Sequence, residues 1–256
     1  MEDVTIPRTH PRYESLVTRE KIVEGFKKGI VVPHGLIAHG RGEALDYILG
    51  EKTTEYAREA AEAAAALLML SKKPVIAVNG NTAALVGREL ITLSATLNAP
   101  LEVNLFHRSR EREEKIRDYL TSLGASKVLL SSEEHVIEGI SSARRFVSGA
   151  GIKTADTVVV AIEDGDRTEE LVKEGKNVIA IDLNPLSRTA EKATITIVDN
   201  VIRAIPLLTK LCQSYREKPR EELLDILKRF DNRENLRRAL AAICQRLERL
   251  AYLDKV

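Results

Sequence analysis

Short apolar runs alternate with amphipathic stretches between residues 73 and 200. The runs predict six strands, at 74–78, 101–105, 127–130, 157–162, 178–181 and 194–198. Stretches with helical periodicity separate most of these strands. Because strands that alternate with helices indicate βαβ units, the pattern predicts an α/β fold built on a doubly wound, Rossmann-like parallel sheet.

Helical additions are predicted on both sides of this sheet. In residues 1–72, Thr18 is predicted to cap a helix, a Gly- and His-rich loop spans 33–42, and a long helix runs from about 54 to 70. Residues 201–256 are predicted to be helical, with a heptad-like seam at Leu236, Leu240, Ile243, Leu247 and Leu250. The seam either docks on its own chain or forms a subunit interface. We expect one domain, 1–256.

Composition narrows the class of protein. The 256 residues are 44% hydrophobic and carry a formal net charge of +1, so neither nucleic acid nor an anionic membrane is an expected partner. No apolar run approaches the ~18–20 residues that span a bilayer. Cys212 and Cys244 have neither CxxC nor metal-ligand spacing, so we expect no metal site and a cytoplasmic protein. The 30% of charged residues and the absence of Trp favour a thermophilic source.

Polar residues follow two neighbouring strands. Asp182 ends the strand 178–181, and Leu183, Asn184, Ser187 and Arg188 come next, while Asp199 and Asn200 follow the strand 194–198. Ligands bind at the carboxyl ends of parallel strands, where an acid can accept a ribose hydroxyl and N–H groups with a guanidinium suit phosphate. The pattern therefore predicts a nucleotide pocket. The alternative is that Asp182 and Asp199 only cap the segments after them.

Other strand ends carry weaker signals. Asn79, Gly80 and Asn81 form a turn at a helix start, where exposed N–H groups suit a phosphate or carboxylate. His107 and Arg108 follow the strand 101–105, although a charged helix start would also explain them. The chain has no G-x-x-x-x-G-K-[ST] and no strand–G-x-G-x-x-G–helix, so neither a P-loop ATPase nor a nicotinamide dehydrogenase is favoured.

Several separated runs together resemble one family, the archaeal 4-phosphopantoate–β-alanine ligases, or phosphopantothenate synthetases. The runs are Pro11-Arg-Tyr-x-Ser-Leu with Arg19-Glu, Gly35-Leu-Ile-Ala-His-Gly-Arg41-Gly-Glu-Ala, Val78-Asn79-Gly-Asn-Thr-Ala-Ala-Leu, Glu102-Val-Asn104-Leu-Phe-x-Arg108, Leu123-Gly124-Ala and Ala180-Ile-Asp182-Leu-Asn-Pro-Leu-Ser-Arg188-Thr-Ala. The resemblance spans essentially the whole chain, and its specificity comes from the set.

The resemblance implies a function. Members join 4-phosphopantoate to β-alanine with ATP, giving 4′-phosphopantothenate, AMP and diphosphate in coenzyme A synthesis, and they are typically homodimers. It implies an ATP site at Arg19, Arg41, Asp182, Leu183, Asn184, Ser187, Arg188, Asp199 and Asn200. ATP is thus the expected co-substrate, with Mg²⁺ expected from phosphoryl chemistry rather than from a metal motif.

The remaining candidates are assigned by chemistry. Asn79, Gly80, Asn81 and His34 are expected to bind substrate, and His107 and Arg108 are the catalytic candidates. The base for the β-alanine ammonium stays open among His34, His39 and His107, since all three titrate in the right range. Two alternatives to the ligase are a nucleotide-dependent oxidoreductase and a non-enzymatic nucleotide-binding sensor on the same fold.

Overall fold

The computed structural model describes residues 6–252. Three helices come first, α1 Tyr13–Lys27, α2 Pro33–Leu49 and α3 Glu55–Leu70. The alternating part follows as β1 Pro74–Val78, α4 Gly80–Leu97, β2 Leu101–Val103, α5 Arg110–Ser122, β3 Val128–Leu130, β4 Ser132–Val136, β5 Phe146–Val147, β6 Thr157–Ala161, α6 Gly165–Lys173, β7 Asn177–Ile181, α7 Arg188–Lys192 and β8 Ile195–Ile197. Three more helices end the described chain, α8 Val201–Ser214, α9 Arg220–Arg229 and α10 Asn232–Tyr252.

Six parallel strands form the main sheet in the order β3-β2-β1-β6-β7-β8. The chain winds outward from β1 to β3, returns to β6 beside β1, and then winds the other way. The topological switch point therefore lies between β1 and β6, which is where open α/β sheets bind ligands. The predicted α/β class and the doubly wound parallel sheet are confirmed.

Both faces of the sheet are covered, because successive side chains of each central strand point to opposite sides. Ile76 and Val78 belong to one apolar cluster with α3, α4 and α8, whereas Val75 and Ala77 belong to a second one on the other face. The second cluster includes Ile137, Ile140, Val147 and Ile152 from the segment between β3 and β6. That segment carries the small antiparallel pair β4–β5 and a 3-10 turn, Ala143–Arg145.

Two predictions for the N-terminal part were wrong. Thr18 does not cap a helix, because α1 begins at Tyr13 and the Thr18 hydroxyl donates inside the helix to the carbonyls of Glu14 and Ser15. Residues 33–42 are not a loop but the first part of α2, which has Pro33 in its first turn. Proline at that position supplies a helical φ and lacks only an N–H that the helix would leave unpaired. The glycines of this run are helical.

The heptad-like seam near the C-terminus is buried in its first half and exposed in its second half. Leu236 is buried and Leu240 is half-buried, because the first half of α10 packs on α2, α3, α7 and β8. Leu247 and Leu250 lie further along the helix and are nearly half exposed. Docking on the same chain therefore accounts for the first half only. None of the helices between residues 6 and 252 is both long and apolar enough to cross a membrane.

A candidate active site at the carboxyl edge of the sheet

A cavity of about 1030 Å³ opens at the carboxyl edge of the main sheet, between the strand ends and the helices α1 and α2. Twelve of the fifteen residues predicted for the site line this cavity: His34, Arg41, Asn79, Gly80, Asn81, His107, Asp182, Leu183, Asn184, Ser187, Asp199 and Asn200. These twelve residues come from four strand ends and from two helices and converge on one space, as parallel topology requires.

Asp182 organises the turn after β7. Its carboxylate accepts hydrogen bonds from the Asn184 N–H at 2.9 Å and from the Ser187 hydroxyl, and that hydroxyl in turn accepts the Ala190 N–H and caps α7. Burial raises the pKa of Asp182, and the hydrogen bonds from Ser187 and Asn184 oppose that rise. The capping residues of the two following helices are Ser187 and Asn200, so neither Asp182 nor Asp199 is itself the cap, and Asp182 holds the turn in shape at the edge of the cavity.

Asp199 and Asn200 connect the end of β8 to helix α2. Asp199 accepts from the Thr53 hydroxyl at 2.6 Å and from Arg203 Nε at 2.8 Å, and the Asn200 amide donates to Asp46 at 2.8 Å. Arg203 also pairs with Asp46 at 2.5 Å, so both carboxylates share one guanidinium. The buried pairing fixes the C-terminal part of α2 against the start of α8 and closes one wall of the cavity.

Asn79 bridges the switch point of the sheet. Its side-chain oxygen accepts the Thr82 N–H in a capping box at the start of α4, and its amide donates to the carbonyls of Ala161 at 2.8 Å and Ile162 at 3.2 Å across β1 and β6. Ile162 has a φ of 54°, a left-handed conformation that a β-branched residue rarely adopts. Such strain is characteristic of functional sites, because the surrounding structure must enforce it.

Arg112 lies across the start of α4. Its Nε donates to the Ile30 carbonyl at 3.0 Å and its Nη1 to the His107 carbonyl at 2.8 Å, so these partners are neutral. A Cβ on Gly80 would overlap the Ile30 carbonyl and come within 2.8 Å of Arg112 Nη2. Gly80 therefore lets this guanidinium approach the helix terminus, where the first-turn N–H groups have no intrahelical acceptor.

His34 and His107 stack at the same end of the cavity. Their ring centroids are 4.2 Å apart and the ring planes differ by 33°. Burial lowers the pKa of His107, and the neighbouring His34, Arg112 and Arg144 lower it further. A neutral imidazole at neutral pH can accept a proton, so the arrangement suits a base.

A chain of buried charges forms the floor of the cavity after β6. Glu163 is paired with both Arg144 and Arg167, and Arg144 Nε lies 3.3 Å from Asp164 Oδ2. Arg167 is fully buried, and burial lowers the pKa of both arginines to about 10. Arg144, Glu163 and Asp164 line the cavity. Pairing with Glu163 therefore fixes the position of the Arg144 guanidinium beside the switch point.

Three predicted residues lie outside the lining of the cavity. Arg19 pairs with Glu43 at 2.7 Å, and Arg188 pairs with Asp166 and with Glu169 at 2.5 Å. Arg108 turns away to Glu113 and Glu133, each at 3.1 Å. Burial alone would raise the pKa of Glu43, but hydrogen bonds from Arg19, Ser15 and Tyr47 lower it to about 2. Arg19 thus stays close to the cavity through Glu43, which lines it.

Sequence reasoning missed several residues that line the cavity. These are Asp46, Arg112, Arg144, Glu163, Asp164 and Arg203. A charged residue inside a helix carries no signal of its own, because the sequence alone does not show which way the side chain faces, and this explains why Asp46, Arg112 and Arg203 were missed. Glu163 and Asp164 did follow a predicted strand, so the strand-end rule that selected Asp182 could also have selected them.

The arrangement of possible metal ligands bears on how Mg²⁺ could be held. Within residues 6–252, no group of three or more His, Cys, Asp and Glu side chains is arranged to hold a metal ion. The carboxylates that line the cavity are mostly engaged, Glu163 with two arginines and Asp199 with Arg203. A metal held mainly by ligand phosphates would need only one or two such carboxylates.

The chain is similar to known proteins of one family. Residues 56–246 match the family model described as phosphopantothenate/pantothenate synthetase. A 4-phosphopantoate–β-alanine ligase of Thermococcus onnurineus is 50% identical over 97% of this chain and 95% of its own length. A protein with the same name from Methanosarcina mazei is 48% identical over 96% of this chain and 97% of its own length. Another from Methanospirillum hungatei is 45% identical over 94% of this chain and 98% of its own length. The chain belongs to the phosphopantothenate/pantothenate synthetase family.

Proposed function

We propose that this protein joins 4-phosphopantoate to β-alanine at the expense of ATP, giving 4′-phosphopantothenate, AMP and diphosphate in coenzyme A biosynthesis. Relatives that match this chain over nearly their whole length are named 4-phosphopantoate–β-alanine ligase. The observation that carries the proposal is the cavity itself. It lies over the switch point and is lined by Asp182, Asn184 and Asp199 after β7 and β8 and by Gly80 and Asn81 at the start of α4.

ATP would occupy the end of the cavity formed by β7 and β8. Asp182 and Asn184 stand there at the strand edge, where polar oxygens can accept ribose hydroxyls, and Leu183 offers apolar contact. Arg41 and Arg19 are the proposed triphosphate ligands. Arg19 would exchange Glu43 for the phosphates, and Ser15 and Tyr47 would continue to donate hydrogen bonds to the Glu43 carboxylate. Arg188 would have to leave Asp166 and Glu169 in the same way.

The phosphate of 4-phosphopantoate would bind at the start of α4. The first turn of α4, which a kink at Val86 separates from the rest of the helix, presents to an anion N–H groups that have no intrahelical acceptor. Arg112 adds a guanidinium whose described partners are carbonyl oxygens, so its charge is not neutralised by a carboxylate. Asn81 and His34 line the same region. The two anionic ligands would then meet over Arg144 at the switch point.

The reaction needs activation of a carboxylate, because its oxygen cannot leave as an oxide. A carboxylate oxygen of phosphopantoate would attack the α-phosphorus of ATP, forming an acyl adenylate and releasing diphosphate. The amine of β-alanine would then attack the acyl carbon, and AMP would leave with the carboxylate oxygen. Arg41 and Arg144 would stabilise the charge that develops at the α-phosphate.

The amine must lose a proton before or during this attack. His107 is the proposed base, because its ring lines the cavity, stacks on His34 and has a lowered pKa from burial and the adjacent cations. Arg108 would act only through the surrounding structure, since its guanidinium is engaged by Glu113 and Glu133. His107→Ala should therefore slow the second step more than the first.

Mg²⁺ is the proposed counter-ion of ATP. Asp164 fits as its protein ligand, because its side chain lines the cavity and remains about two-fifths exposed, whereas Glu163 is fully engaged. The ion would neutralise phosphate charge during the attack. The proposed compartment is the cytoplasm, which supplies ATP and suits the free thiols Cys212 and Cys244.

Steady-state release of diphosphate from ATP tests the function directly. The complete mixture with 4-phosphopantoate and β-alanine should release diphosphate and AMP continuously. Omitting either substrate should stop that release after at most one turnover. ATP binding without release under all conditions would indicate a nucleotide sensor, and NAD(P)H binding with hydride transfer would indicate an oxidoreductase. Either result would reject the ligase.

A further inference from the structure

Two buried polar side chains, Glu102 in β2 and Asn104 directly after it, stand where a central parallel strand normally has apolar ones. Leu101 and Val103 point into the apolar cluster on one face of the sheet. Glu102 and Asn104 point to the opposite face, and their exposed fractions are 0% and 2%. Burying a carboxylate costs free energy unless its oxygens accept hydrogen bonds. The partners of these two side chains therefore show what the pair does.

Both side chains bind the main chain of residues 144–152. The two carboxylate oxygens of Glu102 accept the N–H groups of Ser148 at 2.9 Å and Ile152 at 2.7 Å. The side-chain amide of Asn104 donates to the carbonyls of Arg144 at 3.3 Å and Phe146 at 2.9 Å. Glu102 only accepts hydrogen bonds here, and Asn104 only donates them. Together they pair with this main chain as the edge of a neighbouring strand would.

The packing around this contact leaves little freedom. A Cβ on Gly151 would overlap a carboxylate oxygen of Glu102, so that oxygen and the main chain are in direct contact. β5 pairs with β4 on its other side, which leaves this side of residues 144–148 to the side chains of β2. The first residue that the pair holds is Arg144, whose guanidinium lines the cavity against Glu163 and Asp164.

We propose that Glu102 and Asn104 are positioning residues for the ligase reaction, because they fix the main chain that delivers Arg144 to the switch point. The catalytic part of this inference rests on the proposed function. The hydrogen bonds that hold the main chain of Arg144 do not depend on that function. Asn104 sets the backbone of Arg144, and Glu163 sets the guanidinium. The alternative is that the pair only stabilises the segment.

A double-mutant cycle separates the two roles, because residues that act through one another are not additive. Glu102→Gln places an NH₂ against one of two N–H donors, and Asn104→Asp places oxygens against two carbonyls. Each should lower kcat roughly tenfold to hundredfold, as small misplacements of a reacting group do. In an Arg144→Ala background neither should lower kcat further, while the loss of melting temperature should remain. Assays at about pH 8 keep Glu102 ionised, since its pKa is about 7.

Asn235→Asp is the matched control. Asn235 is also buried, and its amide donates to the Thr196 carbonyl at 2.8 Å, remote from Arg144. The control should lose stability but keep kcat. Equal losses of kcat in both backgrounds, or wild-type kcat in both β2 variants, would overturn the positioning role. If Asn104→Asp does not fold, Asn104→Ser removes the donors without adding charge and completes the same cycle.

Calorimetry with AMP, whose phosphate is the α-phosphate assigned to Arg144, repeats the cycle without turnover. Arg144→Ala, Glu102→Gln and Asn104→Ser should each weaken AMP binding, and the double variants should bind no more weakly than Arg144→Ala alone. Additive losses would overturn the inference. If the wild-type protein does not turn over but this binding cycle is non-additive, the proposed function fails and the positioning of Arg144 stands.

Discussion

At the scale of single residues, the cations around the cavity differ in what neutralises them. Arg19 pairs with Glu43, Arg203 with Asp46 and Asp199, and Arg144 with Glu163, whereas Arg112 is held by two carbonyl oxygens. A guanidinium held by neutral groups keeps its attraction for an incoming anion. Arg112 is therefore the residue from which we expect the largest single contribution to phosphate binding.

Replacing Arg112 with Met should raise the KM for 4-phosphopantoate. A hydrogen bond to a charged group contributes about 1.5–3 kcal/mol, which corresponds to roughly tenfold to 150-fold. The KM for ATP should change little, because the nucleotide end of the cavity is separate. Arg117→Met on the same helix is the control, since Arg117 pairs only with its neighbour Asp118. An unchanged KM for 4-phosphopantoate in steady-state kinetics would remove Arg112 from the site.

The sequence identified most of the strand-end residues but overlooked Glu163 and Asp164, and it missed the charged side chains that reach the cavity from within helices. Asp182, Asn184 and Ser187 could be predicted because a buried strand precedes them and the sheet topology fixes where they go. Arg112 could not, because it is one of many charged residues in α5 and only the fold shows that it crosses to Ile30. Ion pairs such as Arg188 with Glu169 also depend on contacts that no local pattern encodes.

At the scale of elements, regular patterns predicted the sheet well and the glycine-rich helix poorly. The predicted strands and the structure's strands β1, β2, β3, β6, β7 and β8 differ at their ends by one or two residues. Residues 33–42 were predicted to be a loop because glycine has a low helix propensity. Tertiary contact overrides that preference, since Gly35 lets α2 approach Asn81, whose amide donates to the Gly35 carbonyl at 2.8 Å.

Two glycine-to-alanine substitutions should have opposite effects for this reason. A Cβ at position 80 would meet the Ile30 backbone carbonyl, so Gly80→Ala should destabilise the protein by about 1–3 kcal/mol and lower activity. Gly40 is helical and a Cβ there meets nothing within 4 Å, so Gly40→Ala should stabilise by about 0.4–1 kcal/mol. Urea unfolding measures both. A stabilised Gly80→Ala variant would contradict the close approach of α4 to Ile30.

The strand β2 should make stability depend on pH. Burial raises the pKa of Glu102 from 4.5 to about 7, against the hydrogen bonds from Ile152 and Ser148 and the nearby charge of Arg167. The folded state thus binds this proton more tightly than the unfolded state. The contribution of Glu102 to the free energy of unfolding is therefore fully present below about pH 4.5 and is lost as the pH rises through about 7.

Glu102→Gln tests this dependence, because glutamine does not titrate. Melting temperatures of both proteins should be compared between about pH 5 and about pH 8. The wild type should lose stability relative to the variant as the pH rises across this range. A difference in melting temperature that stays constant would show that the carboxyl group titrates as it does in the unfolded chain.

At the scale of the whole molecule, the helices outside the sheet have two different relations to it. α1 and α2 close the cavity above the strand ends, whereas α8 and the first half of α10 complete the core. The second half of α10 leaves Leu247 and Leu250 exposed on one side. The fold class and the family could be predicted from the sequence, because both depend on order and spacing along the chain. A partner surface for Leu247 and Leu250 could not be predicted, because it would belong to another molecule.

We propose that a second copy of the chain covers them. Light scattering at low micromolar concentration should give about twice the chain mass of 28.4 kDa. Leu247→Glu combined with Leu250→Glu should produce a monomer, because two charges would have to be buried in the interface. Leu224→Glu, which changes a leucine of similar exposure on α9, should leave the dimer intact. A monomeric wild type would reject the dimer, and a dimer that survives both glutamates would place its interface elsewhere.

The transfer of a carboxylate oxygen to AMP tests the central claim most directly. The proposed reaction begins with attack by the carboxylate of 4-phosphopantoate on the α-phosphorus of ATP, so AMP must leave with one of the carboxylate oxygens. With 4-phosphopantoate labelled by ¹⁸O in its carboxylate, mass spectrometry after turnover with β-alanine should find one labelled oxygen in AMP. Label in orthophosphate together with ADP, or unlabelled AMP, would contradict an acyl adenylate formed in this cavity.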